Sequence, residues 1–598
     1  MIGPFLLLAA ATAQATPADP LAPLPQSTAP ASVQQPPPAT DVQVQEEEQP
    51  QAQQAPQPQA QPQAPLLRPQ AIPKDWRGVF AAIRSGDWAG AQAGIATLPP
   101  GILATVARAE LYTAKGSPPV DLGRLQALIA EAPELPDADQ LARLAMTRGA
   151  TAPLLVWPEK PVVGLDAGPR RYRAKPVASE PLADALRAQL DAFVKANDGP
   201  NAEAALLAQG PYLSTDARAE AAQRVAWTYY ALGRDFDARR VADTWRAGAT
   251  GEWGSQAAWV AGLASWRMGD CNSASREFRE VGATATQREL GAGGYYWAAR
   301  SEQACHRPQA VAPLLKAAAA SPDSFYGLIA RETLGASTRL PASAPVSTAA
   351  VDNLPNVRRA IALAAIGETS LAEQMLRHQA RIGPASDHVA LLEVARRLNL
   401  AGAQYWLATN GQPGVRVQIA DRYPMPQWTP IRGWRVDPSL AFAHIIQESN
   451  FRAGAVSTAG AVGLMQVLPS TASAIADQDG LGYSRENLFS PTLNLEFGQS
   501  FIERMRRSAY TGGQLPKVIA SYNAGPLPVG RWATIQDKGD PILWIESIPY
   551  WETRYYVPAV MRNLWVYEGL EGEEQASLKA LAQHRWPGFP IRSGAPRR

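Results

Sequence analysis

The 598-residue chain has few cysteines, few histidines and few charges for its length. Two cysteines exclude a disulfide-dense scaffold and a four-cysteine zinc site. Five scattered histidines without an HExxH motif argue against a metal centre, and the absence of a Walker A loop and of a GxGxxG motif argues against nucleotide chemistry. We therefore expect neither a metal nor a cofactor.

The net charge and the hydropathy of the chain argue against nucleic acid as a partner and against a membrane-spanning segment. The 56 Lys and Arg residues almost balance the 54 Asp and Glu residues, so the net charge is only +2. A nucleic-acid-binding protein would carry a strong basic excess, and none is present. No run of 18 or more apolar residues follows the N-terminus, so the sequence predicts no transmembrane segment.

The N-terminal part has two distinct compositions. Residues 1–15 predict a secretory signal peptide, because an apolar run from Phe5 to Ala11 precedes an Ala-x-Ala pattern that ends at Ala15. Residues 16–72 are rich in Pro and Gln and contain no aromatic residue, which predicts a disordered linker. An exported protein is the expectation.

Residues 73–420 are rich in Ala and Leu and show helical periodicity with almost no strand signal. A weak repeat consists of Gly, four residues and then Ala: Gly86/Ala91, Gly233/Ala238, Gly269/Ala274 and Gly367/Ala372. Small residues recur 36 positions apart, from Ala238 to Ala274 and on to Ala310. A tight turn closed by a small residue between two helices gives this pattern, so an all-α fold with an α-solenoid of helical hairpins is predicted.

Aromatic residues and both cysteines fall within these hairpins. The aromatic residues are expected to pack between helices: Trp227, Tyr230, Trp259, Trp266, Tyr295 and Trp297. Cys271 and Cys305 lie 34 residues apart at equivalent places in successive hairpins. Both a structural disulfide and two buried free thiols are compatible with this placement.

A candidate catalytic carboxyl group follows the solenoid. Asp437 and Pro438 predict the start of a helix, which is apolar on nearly all faces and ends at Glu448. His444 and Ile445 share the face of Glu448. A carboxyl group beside apolar neighbours has a raised pKa, as a general acid working near neutral pH requires.

Three further clusters follow Glu448. Gly460 and Gly463 permit backbone conformations that other residues avoid, and Gln466 offers a donor and an acceptor suited to a sugar. The complete ordered set is ESNF at 448–451, STAGAVGLMQ at 457–466, SYNAGP at 521–526 and ESIPYWETRYYV at 546–557. This set resembles the catalytic domain of the soluble lytic transglycosylases, which belong to the goose-type lysozyme superfamily.

The resemblance implies a domain organisation and a place of action. An α-superhelical domain at 73–420, with Ser324-Phe325-Tyr326-Gly327 near its end, would precede a helical lysozyme-like catalytic domain at 421–575 and a C-terminal tail at 576–598. Peptidoglycan glycan strands would be the partner, and the periplasm the location.

The resemblance also implies roles for individual residues. Glu448 would be the single acid/base, first protonating the glycosidic oxygen between N-acetylmuramic acid and N-acetylglucosamine and then deprotonating the muramyl C6 hydroxyl. Tyr522 would face Glu448 and stabilise developing charge. Ser457, Met465 and Gln466 match positions of the glycan cleft.

Glu552 matches an acidic residue of the family's ETR motif, with a cleft or structural contact as its implied role. An ion pair between Glu552 and Arg554 that holds the last helices together is an equal alternative. Asn523, followed by Ala-Gly-Pro, is expected to be a turn residue.

Three functions remain open at this point. The first is a lytic transglycosylase that forms 1,6-anhydromuramic acid. The second is a muramidase that uses water and leaves reducing ends. The third is a non-catalytic scaffold that grips glycan, which the intact set of Glu448, Gln466 and Tyr522 disfavours. The sequence further predicts that the catalytic region folds without the solenoid, because a solenoid buries its core between neighbouring repeats.

Overall fold

A computed structural model describes residues 72–166 and 168–590 of the chain, so the predicted signal peptide and all of the predicted Pro/Gln linker except Ile72 lie outside the described residues. The fold is mainly helical, as predicted. The helices of the first part are α1 Trp76–Ser85, α2 Trp88–Thr97, α3 Ile102–Thr113, α4 Leu122–Glu131, α5 Ala138–Thr147, α6 Pro181–Lys195, α7 Gly199–Gln209, α8 Thr215–Ala231, α9 Asp235–Trp245, α10 Glu252–Met268, α11 Cys271–Thr284, α12 Arg288–Ala304, α13 Val311–Ala319 and α14 Phe325–Thr333.

The second part continues in the same style. Its helices are α15 Pro355–Ala365, α16 Thr369–Ile382, α17 His388–Arg397, α18 Ala401–Thr409, α19 Pro438–Glu448, α20 Pro469–Asp479, α21 Pro491–Arg507, α22 Leu515–Ala524, α23 Pro526–Arg531, α24 Pro541–Glu546, α25 Trp551–Glu571 and α26 Ala576–Ala582. Short 3₁₀ helices occupy Gly210–Tyr212, Pro308–Ala310, Ala385–Asp387, Ile419–Arg422, Glu486–Phe489 and Trp532–Thr534. Two short strands, β1 Val163–Gly164 and β2 Asn410–Gly411, pair antiparallel.

The Gly-x4-Ala repeat marks turns between paired helices. All four glycines have a positive φ, between +76° and +80°, where a residue with a Cβ would be strained: Gly86, Gly233, Gly269 and Gly367. The four alanines are fully buried where the next helix packs: Ala91, Ala238, Ala274 and Ala372. The predicted helical hairpins are confirmed at these turns. Ala310 departs from the pattern, because it ends a 3₁₀ helix and is only partly buried.

Two large apolar cores organise the described residues. The smaller core joins α1–α5 to α15–α18. The larger core joins α6–α14 to α19–α26. It therefore contains helical hairpins of the solenoid as well as the helix that ends at Glu448. The chain boundary predicted at residue 420 stays a prediction: the smaller core lies wholly before it, whereas the larger core contains residues from both sides.

Specific contacts join α19–α26 to the solenoid hairpins. Phe325 stacks on Trp565 with ring centroids 5.1 Å apart. The guanidinium of Arg554 lies 3.4 Å from the centre of the Trp227 ring, so Trp227 has the packing role expected of these aromatics. Because these contacts are buried, they argue against the expectation that residues 421–598 fold alone.

A buried ion pair ties the connection after β1 to the same interface. Arg171 donates hydrogen bonds to both carboxylate oxygens of Glu546, at 2.8 and 2.7 Å. Tyr326 donates a third hydrogen bond to Glu546 at 2.6 Å. The Glu546 side chain is fully buried and that of Arg171 is 6% exposed. Removing one partner would leave an unpaired charge in the interior.

Cys271 and Cys305 are joined by a disulfide, with Cα atoms 5.6 Å apart. Residues 576–590 pack against the larger core, since Leu578 and Leu581 are fully buried. Within the described residues, no helix is both long enough and apolar enough to cross a membrane.

Candidate active site

Glu448 occupies the end of α19, a buried helix. As predicted, Asp437 caps this helix by accepting a hydrogen bond from the Ser439 amide at 2.8 Å, and Pro438 takes the first helical position. Nine successive residues from Pro438 to Ile446 are buried, whereas Glu448 is partly exposed. The helix thus begins in the core and places the carboxyl group of Glu448 where it is partly exposed.

The carboxyl group of Glu448 is held by a hydrogen bond that the sequence prediction missed. The hydroxyl of Tyr556, on α25, donates to Glu448 Oε1 at 2.5 Å. Tyr556 lies within the quoted ETRYYV motif, four residues after Glu552 and therefore on the same helical face. This spacing was the available signal, but nothing in the sequence places Tyr556 beside Glu448.

The pKa of Glu448 is raised to about 7. Burial is the largest cause, because it disfavours the charged form, and the negative charge of Glu552 adds to it. The hydrogen bond from Tyr556 acts in the opposite direction, since it stabilises the carboxylate. A carboxyl group with this pKa exchanges a proton readily near neutral pH.

The loop that contains Ser457, Gly463 and Gln466 follows Glu448 in the sequence. Ser457 closes the loop, because its backbone and side chain both bond to Ala461, at 2.9 and 3.0 Å. Gln466 has a positive φ of 47°, and its side-chain amide donates to the carbonyl of Gly463 at 2.9 Å. Both residues are partly exposed, so each retains atoms that a sugar could reach.

Gly463 and Asn494 together fix the conformation of this loop. Asn494, on α21, is fully buried, accepts from the Met465 amide at 2.8 Å and donates to the carbonyls of Val462 and Leu488 at 2.9 Å. A Cβ on Gly463 would lie 2.2 Å from the Asn494 amide nitrogen. Asn494 is a second site-supporting residue that the sequence prediction missed.

Met465 contributes to the site differently from the prediction. Its side chain is fully buried and packs against Gly498, where even a Cβ would lie 2.1 Å from the Met465 sulfur. A buried side chain cannot contact a glycan, so the expected cleft contact of this side chain is corrected. Its carbonyl instead accepts a hydrogen bond from the Tyr522 hydroxyl at 2.7 Å.

Tyr522 is partly exposed and belongs to the same constellation. Its ring centroid lies 4.5 Å from that of His444, one turn before Glu448 on α19. The charge of Glu448 and burial both raise the pKa of Tyr522 well above its ordinary value. Because its hydrogen is donated to Met465, the oxygen of Tyr522 has lone pairs available.

Glu552 is exposed and lies at the first turn of α25. It accepts a hydrogen bond from the Asn523 amide at 3.4 Å, and Asn523 accepts one from Thr553 at 2.6 Å. In the described part of the chain Glu552 forms no ion pair with Arg554, which stacks on Trp227 instead. Asn523 lies within α22 and links that helix to α25 rather than forming a turn.

Among residues 72–166 and 168–590, no group of three or more His, Cys, Asp and Glu side chains could hold a metal ion. The chemistry available here is that of one carboxyl group with a raised pKa, two tyrosines and a polar loop.

Known proteins are similar to this chain in sequence over its C-terminal part. Residues 430–545 match the family described as Transglycosylase SLT domain. Over 201 residues the chain is 30% identical to the soluble lytic murein transglycosylase of Salmonella typhimurium, covering 31% of this chain and 30% of that protein. Over 158 residues it is 30% identical to the endo-type membrane-bound lytic murein transglycosylase A of Klebsiella pneumoniae, covering 23% of this chain and 77% of that protein.

The fold also has a solved counterpart. The 70-kDa soluble lytic transglycosylase of Escherichia coli superposes with a TM-score of 0.50 at 16% identity, covering 86% of this chain and 99% of that one. The sequence matches span less than a third of the length of the first soluble lytic murein transglycosylases compared. With the SLT domain, the ordered motifs and the shared fold in place, the chain belongs to the soluble lytic transglycosylase family.

Proposed function

We propose that this protein is a lytic transglycosylase that cleaves the β-1,4 bond between N-acetylmuramic acid and N-acetylglucosamine in peptidoglycan. The observation that carries the proposal is the partly exposed carboxyl group of Glu448, which is held by Tyr556 and has its pKa raised to about 7. A group that is half protonated near neutral pH suits both halves of an acid–base cycle.

The first half of the cycle breaks the glycosidic bond. Protonated Glu448 gives its proton to the oxygen that leaves with N-acetylglucosamine, and the bond from the muramyl C1 to that oxygen breaks. The 2-acetamido group of the substrate stabilises the positive charge on C1. The oxygen of Tyr522, whose own hydrogen is donated to the Met465 carbonyl, presents lone pairs that favour positive charge nearby.

The second half closes a ring without water. The carboxylate of Glu448 accepts the proton of the muramyl C6 hydroxyl, and the C6 oxygen bonds to C1 to give the 1,6-anhydro sugar. The proton lost in the first half is thereby regained, so no second carboxyl group is required. Conventional glycosidases need two carboxyl groups about 5–9.5 Å apart.

The surroundings of the other predicted site residues support roles for them. We assign Ser457 and Gln466 to glycan binding, because both are partly exposed on the loop fixed by Asn494. We assign Glu552 a second role besides a cleft contact: its negative charge helps to keep the pKa of Glu448 raised. Action in the periplasm after export, and a ring-like α-superhelical domain at 73–420 that guides glycan strands, complete the proposal.

The test compares wild-type enzyme with Glu448→Gln on purified sacculi, with released muropeptides identified by mass spectrometry. Wild type should release fragments that end in 1,6-anhydromuramic acid. The variant should lose activity by at least about 10²–10⁴-fold, the range typical of general acid–base assistance. Glu486→Gln is the control, because Glu486 is exposed and the substitution removes the same charge. Products that end mainly in reducing sugars would identify a muramidase, and an active Glu448→Gln would refute the assignment.

A further inference from the structure

His444 lies behind the hydrogen bond that holds Glu448. It is fully buried on α19, one helical turn before Glu448. Its Nδ1 lies 2.7 Å from the hydroxyl oxygen of Tyr556, which in turn lies 2.5 Å from Glu448 Oε1. The three side chains therefore form a hydrogen-bonded chain from the buried His444 to the partly exposed Glu448.

The directions of these hydrogen bonds follow from counting protons. A tyrosine hydroxyl has one hydrogen, and a carboxylate can only accept. When Glu448 is ionised, the Tyr556 hydrogen points to Glu448, so the short contact to His444 requires a hydrogen on Nδ1. His444 is then the donor and the Tyr556 oxygen the acceptor.

The surroundings of the other ring nitrogen agree with this assignment. Nε2 of His444 is buried and has no hydrogen-bond partner among the described residues. An orphaned buried N–H is rarer than an under-satisfied acceptor, which favours a bare Nε2. Burial also lowers the pKa of His444 to about 3, so the ring is neutral at any working pH.

We propose that His444 is a positioning residue whose Nδ1–H keeps the Tyr556 hydrogen directed at Glu448. This inference rests on the proposed function, because it concerns the proton that Glu448 transfers. In the opposite tautomer Tyr556 would donate to His444, and protonated Glu448 would donate its proton to Tyr556 rather than to the substrate. With Nδ1 protonated, Oε1 always accepts from Tyr556, and the transferable proton lies on Oε2.

The consequence for pH dependence involves every ionisable group around Glu448. These are His444 on its own helix, Tyr556 and Glu552 on α25, and Tyr522 on α22. A donor behind Tyr556 strengthens the bond that Tyr556 makes, since hydrogen bonds in a chain polarise one another. Losing that donor should raise the pKa of Glu448 and move the alkaline limb of kcat/KM to higher pH.

Two variants separate positioning from packing. His444→Leu removes the donor while keeping an apolar side chain, and His444→Asn places an amide nitrogen where Nδ1 lies. We expect His444→Leu to move the alkaline limb up by about 0.5 pH unit and His444→Asn to leave the limb at its wild-type position. Equal loss of activity at every pH, with an unmoved limb in His444→Leu, would overturn the proposal.

A second measurement does not depend on activity. Nitrogen-15 NMR of the wild-type enzyme labelled at its histidines reports which ring nitrogen of His444 carries the hydrogen, with the signals assigned by their loss in His444→Asn. We expect a neutral ring protonated on Nδ1 from pH 5 to 8. A ring protonated on Nε2, or one that becomes charged in this range, would overturn the proposal. An enzyme without lytic activity would refute the proposed function, while the NMR result would still decide the hydrogen-bond direction.

Discussion

At the scale of single residues, the chemistry depends on how few groups surround Glu448. Burial raises its pKa, and one hydroxyl, that of Tyr556, opposes this effect by stabilising the carboxylate. The balance gives a proton that is neither lost in the free enzyme at neutral pH nor held too tightly to transfer. Tyr556 thus sets how easily Glu448 gives and regains its proton.

Replacing Tyr556 by Phe should therefore change both rate and pH profile. Without the hydroxyl the pKa of Glu448 rises above about 7, and activity that needs the protonated acid persists to higher pH. The rate should fall about 10–100-fold, because the carboxylate of the second step loses its hydrogen bond. Measuring kcat/KM from pH 5 to 9 checks both effects.

Tyr555→Phe is the matched control. Its hydroxyl lies 3.4 Å from Arg171, away from Glu448, so its profile should resemble that of wild type. An alkaline limb that stays in place in Tyr556→Phe would contradict the account of how the pKa of Glu448 is set.

The sequence identified Glu448, Ser457, Gln466, Tyr522 and Glu552 as candidate residues. The fold brings Tyr522 and Glu552 close enough to Glu448 to interact with it electrostatically. It missed Tyr556, because positions 448 and 556 meet only when α19 packs on α25. It misjudged Met465, since its burial depends on Gly498, 33 positions later on α21. Local pattern predicts a helix end, but contacts between distant segments are set by tertiary packing.

At the scale of elements, the loop after α19 depends on two glycines with the same backbone conformation. Gly460 and Gly463 both have φ +80°, but a Cβ on Gly460 meets open space, whereas one on Gly463 meets the Asn494 side chain and the carbonyl of Leu488. A residue with a Cβ would thus strain the backbone at either position, but only at Gly463 would the Cβ also overlap neighbouring atoms.

Substituting each glycine by Ala separates these effects. Gly460→Ala should cost about 1 kcal/mol of stability, the strain of a left-handed residue. Gly463→Ala should cost about 2–4 kcal/mol of stability. It should also lower activity at least tenfold, because the loop that carries Gln466 must shift. Urea denaturation measures the loss of stability, and digestion of sacculi measures the loss of activity. Equal effects would show that Asn494 does not fix the loop.

Helix α25 also carries a buried acid far from the cleft. Burial and the neighbouring charges, those of Asp437 first, raise the pKa of Glu568 from its ordinary 4.5 to about 9. The folded state therefore keeps a proton that the unfolded chain has lost. This contribution to stability is complete below pH 4.5 and disappears as pH rises through about 9.

Glu568→Gln should remove that dependence. Relative to the variant, the wild-type free energy of unfolding should fall between pH 5 and pH 9, by about 2.7 kcal/mol for each two units of pKa shift. Glu574→Gln is the control, because Glu574 is exposed and pairs with Lys579. Parallel stability curves for wild type and Glu568→Gln would contradict a protonated Glu568.

At the scale of the whole molecule, solenoid and site share one core. The sequence predicted helical hairpins and their turn glycines, because these follow local periodicity. It did not predict that α6–α14 and α19–α26 pack as one body, since no repeat or motif encodes which faces meet. Buried pairs such as Arg171 and Glu546 form where distant segments come together.

Breaking that pair should destabilise the molecule as a unit. Arg171→Met leaves Glu546 unpaired and should cost about 3–5 kcal/mol, seen as one cooperative transition at lower temperature. The double variant Arg171→Met/Glu546→Met should recover much of this loss, because no charge stays buried. If α19–α26 melted separately from α6–α14, the shared core would not be a cooperative unit.

The central claim is that Glu448 acts twice and water does not enter the product. Digestion of sacculi in water labelled with oxygen-18 tests it most directly. We predict that each newly formed muramyl end contains no label, because its C1 is bonded to the C6 oxygen of the same sugar. Incorporation of one labelled oxygen at every new end would show that water attacks C1, and would contradict the account.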